Sequence, residues 1–409
     1  MRNFEIHTLG CKLNFSESSA IAAKLVENGW NQGGIPEVII INSCAVTSSA
    51  EKKTRNLASK LHRDNPLASI IMVGCYSALK PELLERWSGV IKVFGSHNKM
   101  NVVDYLMQRE LPEPQNYFDA YSTTHDRTRS FLKIQDGCNV HCTYCTVWIA
   151  RGKSRSDTIE NVLNNIQKIH EAGAREVNLT GVNVGDFGRG TDENLLKLLK
   201  AIVKQNLMER VRISSIEPDL LSDDIIKLVA KSPILMPHFH LPLQSGCDRI
   251  LELMRRRYTT SEYADKVMLI KKMMPDACIA CDVITGFPGE TDEDFEETYN
   301  FLEQLPISYM HVFTYSRRPR TSANMMEYQI PEDVKNERTT RLIELSQVKK
   351  TAFYQQCEGQ KRPVLVEAET IDDQLCGFTD NYIRVSLPYD ENIINTIQKV
   401  TVDSCHTVL

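Results

Sequence analysis

Three times near its amino terminus the chain runs from a short β-branched stretch into a cysteine and then into a helical pattern, and this repetition constrains the fold most. Residues 4–9 read as a strand before Gly10-Cys11, with a helix ending near Gly29. Residues 38–41 read as a buried strand before Cys44, with a helix opened by a Ser48-x-x-Glu51 capping box and stopped at Asn65-Pro66. Residues 70–73 read as a third strand before Gly74-Cys75, followed by a helix with Pro81 in its first turn. In an open parallel sheet with right-handed crossovers, the loops after the strands' carboxyl ends share one edge. Cys11, Cys44 and Cys75 are thereby delivered to one place, as a three-thiolate set for an inorganic cluster. Buried structural cysteine is the plainer alternative.

A second triplet is local. Cys138, Cys142 and Cys145 lie in one tight loop, Gln135-Asp136-Gly137-Cys138-Asn139-Val140-His141-Cys142-Thr143-Tyr144-Cys145. A 4Fe–4S cube normally takes four thiolates, so three leave one iron open for chemistry. Zinc and buried thiols are the alternatives, although zinc knuckles favour paired C-x-x-C. Twelve cysteines without a secretory signal point to metal or redox chemistry in a reducing compartment, the cytoplasm.

At 409 residues the chain exceeds one ordinary domain. Residues 1–112 form the α/β cluster domain, and the Pro- and Ser/Thr-bearing stretch 113–129, with Pro114 and Ser122-Thr123-Thr124-His125-Asp126, reads as a linker. From 130 to 346, six strands (131–134, 176–179, 211–214, 238–241, 279–284 and 308–313) alternate with helices, two of them begun by Asp157-x-x-Glu160 and Thr291. That pattern predicts a partial (β/α)6 TIM-type barrel with its chemistry at the strands' carboxyl ends. Residues 347–409 begin on a helix spanning 331–354, then read as a small all-β module with strands at 364–368, 383–387 and 399–402. The fold class is α/β. No long uncharged apolar run is present to span a membrane, and a net charge of −5 leaves nucleic-acid binding to local basic patches.

Taken together, Thr8-Leu9-Gly10-Cys11-Lys12-Leu13-Asn14, Asn42-Ser43-Cys44-Ala45-Val46-Thr47, Val73-Gly74-Cys75-Tyr76 and the 138–145 loop resemble the radical S-adenosylmethionine (SAM) methylthiotransferase family. So do Ala150-Arg151-Gly152-Lys153-Ser154-Arg155-Ser156, His240-Leu241-Pro242-Leu243-Gln244-Ser245-Gly246 and Asp282-Val283-Ile284-Thr285-Gly286-Phe287-Pro288-Gly289-Glu290-Thr291. The resemblance spans essentially the whole chain, including a TRAM-like carboxy-terminal module. Within the family, Leu179-Thr180-Gly181-Val182-Asn183 and Ser214-Ser215-Ile216-Glu217-Pro218 look like the branch acting on N6-threonylcarbamoyladenosine (t6A) beside the tRNA anticodon; other members act on isopentenyladenosine or a ribosomal-protein aspartate.

The resemblance implies two 4Fe–4S clusters and SAM as cofactors. Cys138, Cys142 and Cys145 hold the cluster that cleaves SAM to a 5′-deoxyadenosyl radical, and Cys11, Cys44 and Cys75 hold the one that delivers sulfur. Tyr144, Gly181, Asn183, Ser215, Glu217, Gln244, Ser245, Ile284 and Phe313 are the SAM contacts it implies, with ordinary barrel-top packing as the plainer reading of each but Glu217, which reads as a contact to SAM or the threonyl group or, more plainly, as a helix-capping surface acid. The implied partners are a tRNA carrying t6A, an electron donor such as flavodoxin or ferredoxin, and a sulfur source. Arg151, Lys153 and Arg155, then Arg255 and Arg256, then Arg317 and Arg318 are basic clusters for a phosphate track. Phe378 and Tyr382 either stack on RNA or dock the module to the barrel. Cys278 and Cys281 fall on opposite faces of one strand and read as buried thiols, and Cys357, Cys376 and Cys405 as free ones. A non-catalytic RNA-binding protein with structural zinc is the alternative from another class.

Overall fold

The computed structural model describes residues 2–45, 47–113, 117–122, 128–403 and 407. Pro114, the polar run from Thr123 to Asp126, and Cys405 lie outside them. The amino-terminal sheet is parallel throughout: β1 (Asn3–Thr8), β2 (Asn31–Gln32), β3 (Val38–Ser43), β4 (Ser69–Gly74) and β5 (Val90–Phe94), in the order β2-β1-β3-β4-β5. The central strands are continuous apolar runs because helices cover both faces. Ile40, Ile71 and Val73 pack on Ile21, Leu25 and Val102, while Ile39, Ile41, Ile70 and Met72 pack on Ala58, Leu61 and Leu84. β2 and β5 are additions to the three strands expected. β2 is two residues long, and β5 is an edge strand interrupted by Lys92.

The barrel is built from β6 (Arg129–Lys133), a short antiparallel ribbon of β7 (Gln135–Asp136) and β8 (Arg155–Ser156), then β9 (Glu176–Thr180), β10 (Arg210–Ile213), β11 (His238–His240), β12 (Cys278–Thr285) and β13 (Tyr309–Thr314). Two three-stranded parallel sheets, β10-β9-β6 and β11-β12-β13, meet through a bridge between Val211 and Leu235 and a bond from Ile216 N–H to the His240 carbonyl at 3.1 Å. This is the six-stranded open barrel expected. Two helix starts differ by one residue. Thr47, not Ser48, accepts the Ala50 N–H, and Thr158, not Asp157, accepts the Asn161 N–H. Thr291 caps as expected, because Asp294 reciprocates. The stretch read as a linker is partly a strand-like edge: Ser122 N–H reaches the Phe131 carbonyl (3.1 Å) and Lys133 N–H the Ala120 carbonyl (2.9 Å).

The helix Glu332–Gln356 packs along β12 and β13 and leads into an antiparallel sheet, β14 (Lys361–Ile371), β15 (Gln374–Thr379), β16 (Arg384–Pro388) and β17 (Ile397–Thr401), ordered β16-β15-β14-β17. This module sits under the amino ends of the barrel strands. Arg210 and Arg212 donate to the Phe378, Thr379 and Asp380 carbonyls, and Tyr382 stacks on His238 at 4.2 Å. Arg129 lies over the Phe378 ring at 4.3 Å. Both aromatic candidates for RNA stacking are therefore spent on docking. Cys278 and Cys281 are both buried, one against the module and the other in the barrel core, as alternate faces require. No helix among the described residues is long and apolar enough to cross a membrane.

Candidate active site

The loop after β6 is shaped by close backbone packing. Gly137 has φ +72°, and a side chain there would collide with the Lys153 carbonyl, while Cys138 N–H bonds the Gly152 carbonyl at 3.0 Å. Beyond it, Cys138, Cys142 and Cys145 line one cavity of about 290 Å³ at the carboxyl ends of the strands. Each sulfur receives a donor: Val140 N–H on Cys138 (3.4 Å), Val147 N–H on Cys145 (3.3 Å) and the Arg256 guanidinium on Cys142 (3.2 Å). Burial pushes the Cys138 thiol up to about 11 and the Cys145 thiol up to about 12, and the neighbouring sulfurs push the same way. Keeping these two thiols ionised side by side takes a positive centre beside them. Three convergent sulfurs with N–H donors fit an iron–sulfur cluster.

Most of the SAM contacts proposed from sequence line the same cavity: Tyr144, Asn183, Ser215, Glu217, Gln244, Ile284 and Phe313. The Asn183 Nδ2 donor is buried with no partner among the described residues, and its Oδ1 accepts the Glu217 N–H at 3.3 Å. A free donor beside a carboxylate fits a ligand carrying both acceptors and an ammonium, as SAM does. Glu217 is no surface acid: it pairs with Arg256, while burial raises its carboxyl above the ordinary range against the guanidinium's pull. Gln244 has φ +73° and is held by its N–H on the Asp282 carbonyl (2.7 Å), a bulge that re-aims the chain at the cavity mouth. Two assignments move. Gly181 packs against Gln135, whose side-chain oxygen accepts the Asn183 N–H at 2.9 Å. Ser245 points behind the cavity, bonded to Thr298 (3.2 Å) and to Cys247 N–H (3.2 Å).

The other three cysteines lie just past the carboxyl ends of β1, β3 and β4, on one edge of the parallel sheet. Strand order places the loops after β1 and β3 side by side at the switch point, with β4 adjacent. Gly10, at φ +109°, lies so close that an added Cβ would stand 3.1 Å from the Cys44 sulfur. Cys75 opens a short helix behind Gly74 and receives the Ser96 hydroxyl at 3.8 Å. Their surroundings carry surplus positive charge: Lys99, Lys133, Arg151 and Arg155 meet only Glu17 and Asp136 in ion pairs among the described residues. Anionic thiolates on a metal core fit that surplus. The Cys44 loop is pinned to the barrel mouth. Ser48 and Ser316 hydroxyls are 2.8 Å apart, Arg318 donates to the Ala45 carbonyl (3.0 Å) and pairs with Glu51, and Thr47 lines the cavity of the second triplet.

The profile described as the Radical SAM superfamily matches residues 132–302, and that described as Uncharacterized protein family UPF0004 matches residues 3–95. The chain is 38% identical, over 98% of its length and 94% of the relative's, to threonylcarbamoyladenosine tRNA methylthiotransferase MtaB of Bacillus subtilis (strain 168). It belongs to the radical-SAM methylthiotransferase family, as an MtaB-type member. The MtaB of Aquifex aeolicus is 36% identical over 92% of this chain and 95% of its own. A tRNA-2-methylthio-N(6)-dimethylallyladenosine synthase of Clostridium perfringens (strain SM101 / Type A) is 34% identical over 96% and 93%. Among solved structures, the radical SAM methyltransferase TsrM from Kitasatospora setae shares the fold, with TM-score 0.60 at 12% identity over 91% of this chain and 79% of that one. As a radical-SAM enzyme the methylthiotransferase uses SAM and an iron–sulfur cluster.

The basic residues divide sharply in this methylthiotransferase. Arg151, Arg256 and Arg318 are withdrawn from solvent and make internal ion pairs, so they are not phosphate contacts. Arg155 is half-buried on Asp136 at 2.7 Å, while Lys153, Arg255 and Arg317 stay exposed. Sequence reasoning missed Asn14, Glu17, Lys99 and Asp136 as partners of the amino-terminal site. The available signal was a helix, Lys12–Glu27, whose buried face carries Asn14, Ser16, Glu17 and Ser18. Asp282, which also lines the cavity, was missed as well.

Proposed function

We propose that this methylthiotransferase attaches a methylthio group to carbon 2 of t6A in the tRNA anticodon loop, using two 4Fe–4S clusters in the cytoplasm. The observation that carries it is the seating of the Cys44 loop against the mouth of the Cys138–Cys142–Cys145 cavity, through Thr47, Ser48, Ser316 and Arg318. A radical-generating site and a sulfur-bearing site then face the same space. Cys138, Cys142 and Cys145 would hold a cluster that, with a flavodoxin- or ferredoxin-type donor, would supply the electron for SAM cleavage and so open an unactivated ring carbon to chemistry that no side-chain base provides. The chain's own residues bind and orient. Asn183, Ser215, Glu217 and Gln244 offer polar contacts, and Tyr144, Ile284 and Phe313 offer apolar walls that exclude water. Cys11, Cys44 and Cys75 would hold a second cluster, which would present sulfur drawn from an external source. The exposed Lys153, Arg255 and Arg317 meet backbone phosphates, and the target base turns outward to reach the cavity.

The substrate follows the relatives that carry the threonylcarbamoyladenosine name. The relative named for dimethylallyladenosine supports that base as the second reading. Mass spectrometry of tRNA nucleosides from cells with and without the gene decides. Loss of 2-methylthio-t6A supports the first reading, and its persistence with loss of the dimethylallyl derivative supports the second. Anaerobic iron analysis tests the cofactors, with about eight irons per chain expected for two clusters.

A further inference from the structure

The buried charges between the amino-terminal domain and the barrel do not balance. Glu17 accepts from Lys99 at 2.5 Å, Lys133 at 3.0 Å and both Arg151 nitrogens at 3.2 Å; Asp136 accepts from Lys133 at 2.9 Å, Arg151 at 2.9 Å and Arg155 at 2.7 Å. Four cations face two anions, a surplus of +2, and five of the six side chains are at most 6% exposed. Buried charge of one sign is retained only beside compensating charge. What lies beside it is the amino-terminal thiol set: the helix Val147–Arg151 packs on the short helix that Cys75 opens, and Arg151 reaches Asn14, three residues past Cys11. Arg151 closes the helix that follows the 138–145 loop, so the barrel itself delivers this charge to the other triplet.

We infer that this surplus, with Arg151 as its central positioning residue, sets the reduction potential of the cluster on Cys11, Cys44 and Cys75, making it easier to reduce than its thiolates alone would allow. The inference rests on the two-cluster reading above. A 4Fe–4S core on three thiolates is anionic and gains further negative charge on reduction, so nearby fixed cations favour the reduced form. Arg151 also has a mechanical role. It donates to Asn14 Oδ1 at 2.7 Å, and Asn14 Nδ2 in turn reaches the Leu9 (2.8 Å) and Ser43 (3.3 Å) carbonyls, just ahead of Cys11 and Cys44.

Opposite charge changes separate the two roles. The full-length protein is reconstituted anaerobically and titrated potentiometrically, each cluster's EPR signal being assigned with the triple variants C138A/C142A/C145A and C11A/C44A/C75A. Arg151→Gln is expected to lower the reduced-to-oxidised ratio of the amino-terminal cluster about tenfold at fixed potential, equivalent to about 59 mV for one electron. Lys99→Gln, which spares the Asn14 tether, should move it in the same direction, Glu17→Gln in the opposite one, and Arg151→Lys should restore most of the effect. The radical cluster should not move. Shifts of the same sign for Lys99→Gln and Glu17→Gln, or no shift at full iron content, overturn the inference and leave the two-cluster reading standing. An intact chain with only about four irons, all lost in C138A/C142A/C145A, overturns both.

Discussion

Glu176 offers the sharpest test of how the barrel holds its carboxy-terminal module. Its carboxylate is fully buried at the amino end of β9, 2.8 Å from the guanidinium nitrogens of both Arg210 and Arg212, which also donate to the carbonyls of residues 378–380. Burial alone would raise its carboxyl, but Arg212, Arg210 and Arg129 overcome that and hold it at about 2 against an ordinary 4.5. The difference is worth about 3 kcal/mol at neutral pH, and removing the partner of buried charges costs about 3–5 kcal/mol in general. Glu176→Gln keeps the shape and removes the charge, so urea unfolding of the apoprotein at pH 7 should show a loss of about 3 kcal/mol or more. Because the folded value is depressed, the wild-type advantage is complete above the unfolded value and disappears as pH falls from about 4.5 through 2. At pH 3 the gap should shrink to roughly half. Limited proteolysis should also cut the variant faster between the helix ending at Gln356 and β14. A loss below about 1 kcal/mol at pH 7, or an equal loss at pH 3, refutes the argument.

Replacing Gly137 with Ala places a Cβ on the Lys153 carbonyl at a left-handed φ, and should cost about 1–2 kcal/mol and lower bound iron from about eight to about four per chain, read by anaerobic iron assay. Any one of Cys11→Ala, Cys44→Ala and Cys75→Ala should still cleave SAM to 5′-deoxyadenosine yet yield no thiolated nucleoside; abolished cleavage in a folded variant contradicts the division of labour. Tyr382→Ala removes the stack on His238 and should destabilise the protein by about 1–3 kcal/mol while leaving tRNA affinity unchanged, because the ring faces the barrel. A drop in affinity in a gel-shift titration, without a drop in stability, speaks for RNA stacking instead.

Local chemistry was legible where a residue's role depends on its chain neighbours. The β-Cys-α repeats, the 138–145 loop and the Thr291 cap follow from spacing alone. Legibility failed where a second element decides. A run of arginines looks solvated in one dimension, yet Arg151, Arg256 and Arg318 each meet a carboxylate that lies far off in sequence, at Glu17, Glu217 and Glu51. Ser245 and Gln244 are chain neighbours, but the bulge at Gln244 sends them to opposite sides of the cavity wall. Edge strands β2 and β5 escaped because one is two residues long and Lys92 interrupts the apolar residues of the other.

By itself the sequence determined the parallel sheet and the open barrel, because hydrophobic period and strand-to-loop order dictate which turns share an edge. Only the tertiary structure decided that the Cys44 loop is seated against the mouth of the cavity lined by Cys138, Cys142 and Cys145. Serine-to-serine and arginine-to-carbonyl contacts close the gap between Cys44 and the barrel mouth, and buried ion pairs make the interface a charged one. Electrostatic pairing acts through space between residues that share no periodicity, so no pattern along the chain announces it.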